Sequence, residues 1–400
     1  MKITVRPLAG LLLAGLVAFS CTSHKDDELA MNTLTRKKDR FIPSSIQSDL
    51  TRLSAGDRAA LTKLVAAARV MDTLYRRQVW SGNEQLLARL ESDTSPLGKL
   101  RLEYWHINQG PWSKLDHNEP FIEGVPHPCP PGANFYPEDM TKEEFQSWVA
   151  ALPEGEQRNA TGFFTTIRRN PDRSLKAVPY NEEYGAELQR AAALLREAAA
   201  LTDNESLRTF LTKRADAFLS NDYYDSDVAW MDLDSPIDIT IGPYEVYLDE
   251  LFNYKAAFEA FVTLRNDEET AKLAKFSSWL QDIENNLPIA PALRNPKLGG
   301  MAPIRVVDEV MVGGEARAGV QTAAFNLPND ERVVAEKGSK RVMLKNVQEA
   351  KFQKILTPIA GIVLDPDQRD RIAFEPFFTH ILAHELLHGL GPHNITVGGR

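Results

Sequence analysis

Two histidines four residues apart, His384 and His388, with Glu385 beside the first, constrain this chain more than any other stretch. The spacing has meaning only on an α-helix, where residues i and i+4 stack on one face. Pro376 suits a first turn, the residues after it are mostly apolar helix formers, and Gly389 and Gly391 are natural exits. The motif is therefore predicted on the last turns of a helix. Two stacked imidazoles there can grip one Zn2+ ion, with the Glu385 carboxylate set beside the ion rather than on it. Zinc held by three protein ligands keeps a fourth position for water. Water so bound loses a proton near neutral pH, and a neighbouring carboxylate can take that proton and later hand it to a departing amine. Hydrolysis of a peptide or amide bond is the chemistry implied. The competing reading is a chance match on a buried amphipathic helix, since two positions of the five are free.

The rest of the chain has to supply a scaffold for that helix. With 400 residues, 43% hydrophobic and 25% charged, it has a globular composition and enough length for two lobes. The net charge of −9 argues against a nucleic-acid partner, because no basic patch is available for phosphate. Residues 1–20 read as an export signal: Lys2 and Arg6 lead into an apolar run from Leu8 to Phe19 that is too short to span a bilayer. Ala18-Phe19-Ser20-Cys21 resembles a bacterial lipoprotein cleavage box, which makes Cys21 the lipidated first residue of the mature chain. Residues 21–40 then form a tether, whose Lys25-Asp26-Asp27-Glu28 is similar to a signal for the outer face of the outer membrane. The expected location is the bacterial cell envelope, as an outer-membrane lipoprotein that is surface-exposed or faces the periplasm, anchored through Cys21 by several acyl chains. A plain cleaved signal followed by a charged tether is the alternative. Cys129 would then be the one other cysteine, in the rigid Pro128-Cys129-Pro130-Pro131 turn, where no disulfide and no catalytic role is expected of it.

Along the chain, apolar residues recur at helical spacing from about Ile46 to Leu90. Arg101 to Pro137 mixes aromatics with prolines and glycines and reads as extended and ordered. Thr141-Lys142-Glu143-Glu144 is a capping box that starts a helix through Phe145 and Trp148. Helices follow at about Glu182 to Leu201 and Ser206 to Leu219, the latter capped by Asn204. Ile237 to Ile241 alternates as a strand, helices are expected again from Leu251 to about Leu287, and Arg305–Val312, Val320–Leu327 and Arg341–Val347 are candidate strands. No internal repeat is present.

Five separate stretches resemble the dipeptidyl peptidase III family of zinc peptidases, in the branch with an uninterrupted motif whose plant members carry an extra Nudix domain. They are Gly132-Ala133-Asn134-Phe135-Tyr136-Pro137, Ile241 to Asp249, Ala256 to Phe261, Phe325-Asn326-Leu327-Pro328-Asn329, and His384 to His393. The resemblance implies an α+β fold of two lobes separated by a cleft. Residues 41–259 would form mainly a lower lobe of helices and the start of a small β-barrel. Residues 260–400 would form mainly the zinc-bearing helical lobe, with 304–347 returning to the barrel. It implies release of dipeptides from the N-terminus of an oligopeptide, with Zn2+ on His384 and His388 and Glu385 as general base. Glu245 and Tyr247 would bind the peptide's free amine and its neighbourhood, Asn326 and Asn329 its backbone, and His393 would line the site. A carboxylate that pairs with the ammonium sets how many residues separate the N-terminus from the ion.

In the family a third zinc ligand is a Glu on a later helix, and no Glu follows Glu385 in this sequence. The expectation is a chain truncated at its C-terminus, which could be a peptide-binding surface lipoprotein without turnover. Alternatively His393 completes the ion's shell, as in a metzincin-like endopeptidase, although that pattern places its third histidine where Asn394 stands. His380, one turn before His384, is a packed or supporting residue in this reading.

Overall fold

In the computed structural model, residues 27–271, 279–298, 304–387 and 390–392 are described. They fall into two compact units, one of residues up to Pro43 together with Gly82–Cys129, the other of Ser44–Ser81 with Pro130 onward. In chain order the first helices are α1 (27–38), α2 (Ala55–Val79), α3 (Asn83–Ser92) and α4 (Pro96–Asn108).

Helices α1, α3 and α4 belong to the first unit. Leu34, Leu97, Leu100 and Tyr104 form its buried cluster, with Phe41 and Phe121 packed around them. Asn83 ties this unit together, accepting from Trp105 Nε1 and donating to the Gln109 carbonyl. The stretch expected to be extended from Arg101 is helical as far as Asn108. Ser95 caps α4 and Pro96 occupies its first position, a start signal that outweighs the aromatic, glycine-rich texture downstream.

The second unit holds the long helix α2, then α5 (Lys142–Ala151), α6 (Gly185–Leu201), α7 (Glu205–Ser220), α8 (Tyr224–Met231), α9 (Leu280–Asn285) and α10 (Phe374–Leu387). The capping box works as its sequence suggests: Thr141 accepts from the Glu144 N–H, and Asn204 likewise accepts from Leu207 at the start of α7. At the centre is a five-stranded sheet of β1 (Ile237–Glu245), β2 (Ala257–Arg265), β3 (Ile304–Gly314), β4 (Ala324–Leu327) and β5 (Lys340–Leu344), in the order β1-β2-β3-β5-β4. All neighbours are antiparallel except β3 and β5. The fold is α+β, as expected. The barrel is not formed among the described residues, because β1 and β4 end the sheet without pairing. They do come near one another: Phe325 of β4 stacks on Phe261, and Asn329 just beyond β4 donates to the Tyr244 carbonyl of β1.

Two elements differ from the sequence reading. The helices expected from Leu251 to Leu287 are replaced by a loop and then by β2 as far as Arg265, and the chain is helical again at 267–271 and in α9. The Asp249 carboxylate accepts from the backbone N–H groups of Leu251, Phe252, Tyr254 and Lys255 and from the Tyr136 hydroxyl, which holds 249–255 as a loop. β2 is buried on both faces between β1 and β3, so its sequence lacks the alternation that marks a half-buried strand. The strand also runs through residue 259, where the lobe boundary was expected. The candidate strands after residue 320 shorten to Ala324–Leu327 and Lys340–Leu344, the chain turning helical at Lys345.

Candidate active site

α10 begins at Phe374, carries Pro376 in its first turn and runs to Leu387, so His384 and Glu385 lie on a helix. Phe378 and Leu382, four apart, are buried and pack with Met343 of β5, Ile304 and Val306 of β3 and Leu280 of α9. Side chains advance about 100° per residue around a helix, which places Glu385 on the same sheet-facing row as Phe378 and Leu382. His380 and His384 lie on the exposed side. Glu385 is half-buried. His388, His393 and Cys21 lie outside the described residues.

The helix exit is fixed from a distance. Gly391 adopts φ +83°, in the left-handed region, and its N–H donates to Glu284 Oε2 over 2.8 Å. Glu284, fully buried in α9, accepts from the Asn295 N–H through its other oxygen.

Asn326 of β4 lies directly opposite Arg341 of β5, two residues along from the Ala324–Met343 pair. Opposed residues of an antiparallel pair share a face, so Asn326, Arg341 and Met343 all project toward α10. Arg341 is almost wholly buried. Burial pushes its guanidinium below the ordinary value, and the nearby Glu385 carboxylate works against that shift. The sequence reading missed Arg341. Its signal was slight, one of two cations, with Lys340, heading an otherwise apolar strand.

Glu245 ends β1 half-buried, and burial raises its carboxyl. Beneath it Glu259 of β2 is buried; its carboxyl is pushed well above the usual carboxylate range by burial first, and then by Glu315 and Glu245. Three acidic side chains thus converge at the β1 end of the sheet, an arrangement suited to a cation such as an ammonium group. Asn329 meets this end through its bond to Tyr244, whereas Tyr247 is 75% exposed in the loop beyond β1. The structure therefore sets Asn326 opposite Arg341, on which the Glu385 carboxylate acts, and bonds Asn329 to Tyr244, next in sequence to Glu245.

Residues 139–393 match the sequence pattern of peptidase family M49. The chain belongs to that family. Its relatives include Nudix hydrolase 3 of Arabidopsis thaliana, 41% identical over 415 residues, which cover 92% of this chain and 54% of the relative. The chain thus spans about half the length of the curated relative it matches. Among solved structures, it is similar to dipeptidyl-peptidase III from Corallococcus sp. strain EGB, at 58% identity and a TM-score of 0.85, covering 92% of this chain and 68% of that one. It is also similar to DPP III from Caldithrix abyssi, at 51% identity and a TM-score of 0.88, covering 92% and 69%.

Membership of M49 gives the α10 motif its context. Two imidazoles one turn apart are a donor set zinc accepts readily, and of the pair His384 is exposed, where an ion could reach it. Among the described residues no group of three metal-binding side chains converges. His384 is placed to be one of the protein ligands a catalytic zinc needs, and the sequence spacing offers His388 as a second.

Proposed function

We propose that this chain carries the catalytic half-site of a zinc-dependent dipeptidyl peptidase that acts on the free N-terminus of oligopeptides. The observation that supports it best is Arg341, which stands in register with Asn326 and feels the Glu385 carboxylate, within a chain that matches a peptidase family over 139–393. His384 and His388 would hold Zn2+, which supplies a water acidic enough to deprotonate near neutral pH. Glu385, on the sheet side of α10, accepts that proton and returns it to the leaving amine. Asn326 orients the peptide backbone beside Glu385. Glu245, backed by Glu259 and Glu315, pairs with the terminal ammonium, and Asn329 holds the neighbouring backbone. With the ammonium fixed at the β1 end and the proton acceptor on α10, the distance between them selects the bond to be cut.

The test is turnover of a dipeptidyl-naphthylamide by the purified full chain, with an N-terminally blocked analogue beside it. Release from the free substrate alone, abolished by a chelator and by Glu385→Gln, is the expected result. Binding of peptides with no turnover in any metal condition would replace the reading with that of a peptide-binding protein, and cleavage of the blocked analogue would replace it with an endopeptidase. We further propose, from the sequence of residues 1–21, anchorage in the bacterial envelope through lipidated Cys21; incorporation of radiolabelled palmitate into wild type and not into Cys21→Ser tests it.

A further inference from the structure

The carboxylate assigned as proton acceptor has a neighbour that the histidine motif does not mention. Met343 and Arg341 are two residues apart on β5 and so project from one face. Met343 packs on Phe378 and Leu382 of α10. Glu385 continues the row of Phe378 and Leu382 by one turn, as Arg341 continues that of Met343 by one strand repeat. The two charged residues are thus the next members of two rows that already touch. Arg341 is 6% exposed, and its Nε is buried with no hydrogen-bond partner among the described residues. A guanidinium withdrawn from water requires an opposite charge nearby, and Glu385 is the carboxylate whose field acts on it. On its flank, Asn326 stands opposite in register.

We propose that Arg341 is a positioning residue: its guanidinium holds the Glu385 carboxylate on the sheet side of α10, aimed at the ground between the exposed histidine face and Asn326. This rests on the role given to Glu385 above. Arg is suited to the task because its planar fork fixes the direction of a carboxylate, where an ammonium would fix only its distance. Without it, Glu385 would be free to turn with the helix end toward solvent, and the proton acceptor would be present but not aimed.

The pairing is tested without turnover by a double-mutant cycle. Urea unfolding of the purified full chain is measured for wild type, Arg341→Met, Glu385→Gln and the double variant. The expected coupling is about tenfold in the unfolding equilibrium constant, and a coupling below about twofold overturns the proposal. If Arg341→Met does not fold, Arg341→Gln takes its place in the cycle. Kinetics then separate positioning from mere support: Arg341→Met should lower kcat by about tenfold or more with KM within about twofold, and Arg341→Lys should recover part of the loss. A raised KM at unchanged kcat would assign Arg341 to the substrate instead and overturn it. Should the wild-type chain show no turnover, the dipeptidyl-peptidase reading falls while the cycle still decides whether Arg341 holds Glu385.

Discussion

Two of the helices that meet the central sheet, α2 and α10, meet it differently. α2 is laid against β2 and β3 with Ala60, Leu64, Ala67, Ala68, Met71 and Leu74 at or near zero exposure. The approach is so close that a Cβ on Gly313 would lie 2.2 Å from the Ala68 carbonyl oxygen. α10 meets β3 and β5 through a thinner cluster of Phe378, Leu382, Ile304, Val306 and Met343, and beyond it the contact turns polar at Arg341, Asn326 and Glu385. The first contact is built of small and apolar residues that exclude water; the second stops short of closure and ends in polar side chains. On the function proposed above, stability and reactivity would fall to different helices on one sheet.

The sharpest way to break that division is at Glu385. Glu385→Gln should lower peptide turnover by about 10²- to 10⁴-fold, the usual contribution of a general base, with circular dichroism showing the fold retained. At the other contact, Leu64→Ala should cost about 2–5 kcal/mol of unfolding free energy in a urea titration and leave KM for the dipeptidyl-naphthylamide unchanged. If Leu64→Ala instead shifts KM more than stability, the two contacts are not separable.

β3 serves both helices, and Glu309 within it offers a pH test. Burial raises its carboxyl from 4.5 to about 7, and Oε2 has no partner among the described residues. The folded state therefore favours the neutral form. Its contribution is fully present below pH 4.5 and is lost as pH rises through about 7. Glu309→Gln should remove that loss, gaining about 3 kcal/mol over wild type between pH 4.5 and pH 8, as read from urea midpoints at the two pH values. The smallest effect is expected far from either contact: Thr141→Ala deletes the cap on α5 and should cost about 1 kcal/mol.

What the sequence disclosed was local. The caps at Thr141 and Asn204, the β1 alternation and the proline-started motif helix each depend on neighbours within a few residues, and each stands in the structure. β2 was not legible, because a strand buried on both faces writes the same apolar run as a buried helix. Arg341 was not legible either. Its meaning arises from register with Asn326 and from packing on a helix some forty residues on, neither of which a local pattern records. The resemblance pieces fared better than isolated residues: Tyr136 from one and Asp249 from another are joined by a 2.8 Å hydrogen bond.

The bond from the Gly391 N–H to Glu284 spans 107 residues of sequence. A contact of that separation cannot form until the intervening chain, which includes β3, β4 and β5, has been drawn together. The segment just beyond the histidine helix is thus tied to the sheet through α9 and not through its own neighbours. On the reading proposed above, an ion held at His384 would bind the assembled second unit and not the unfolded chain, and so would add its binding free energy to the stability of the whole.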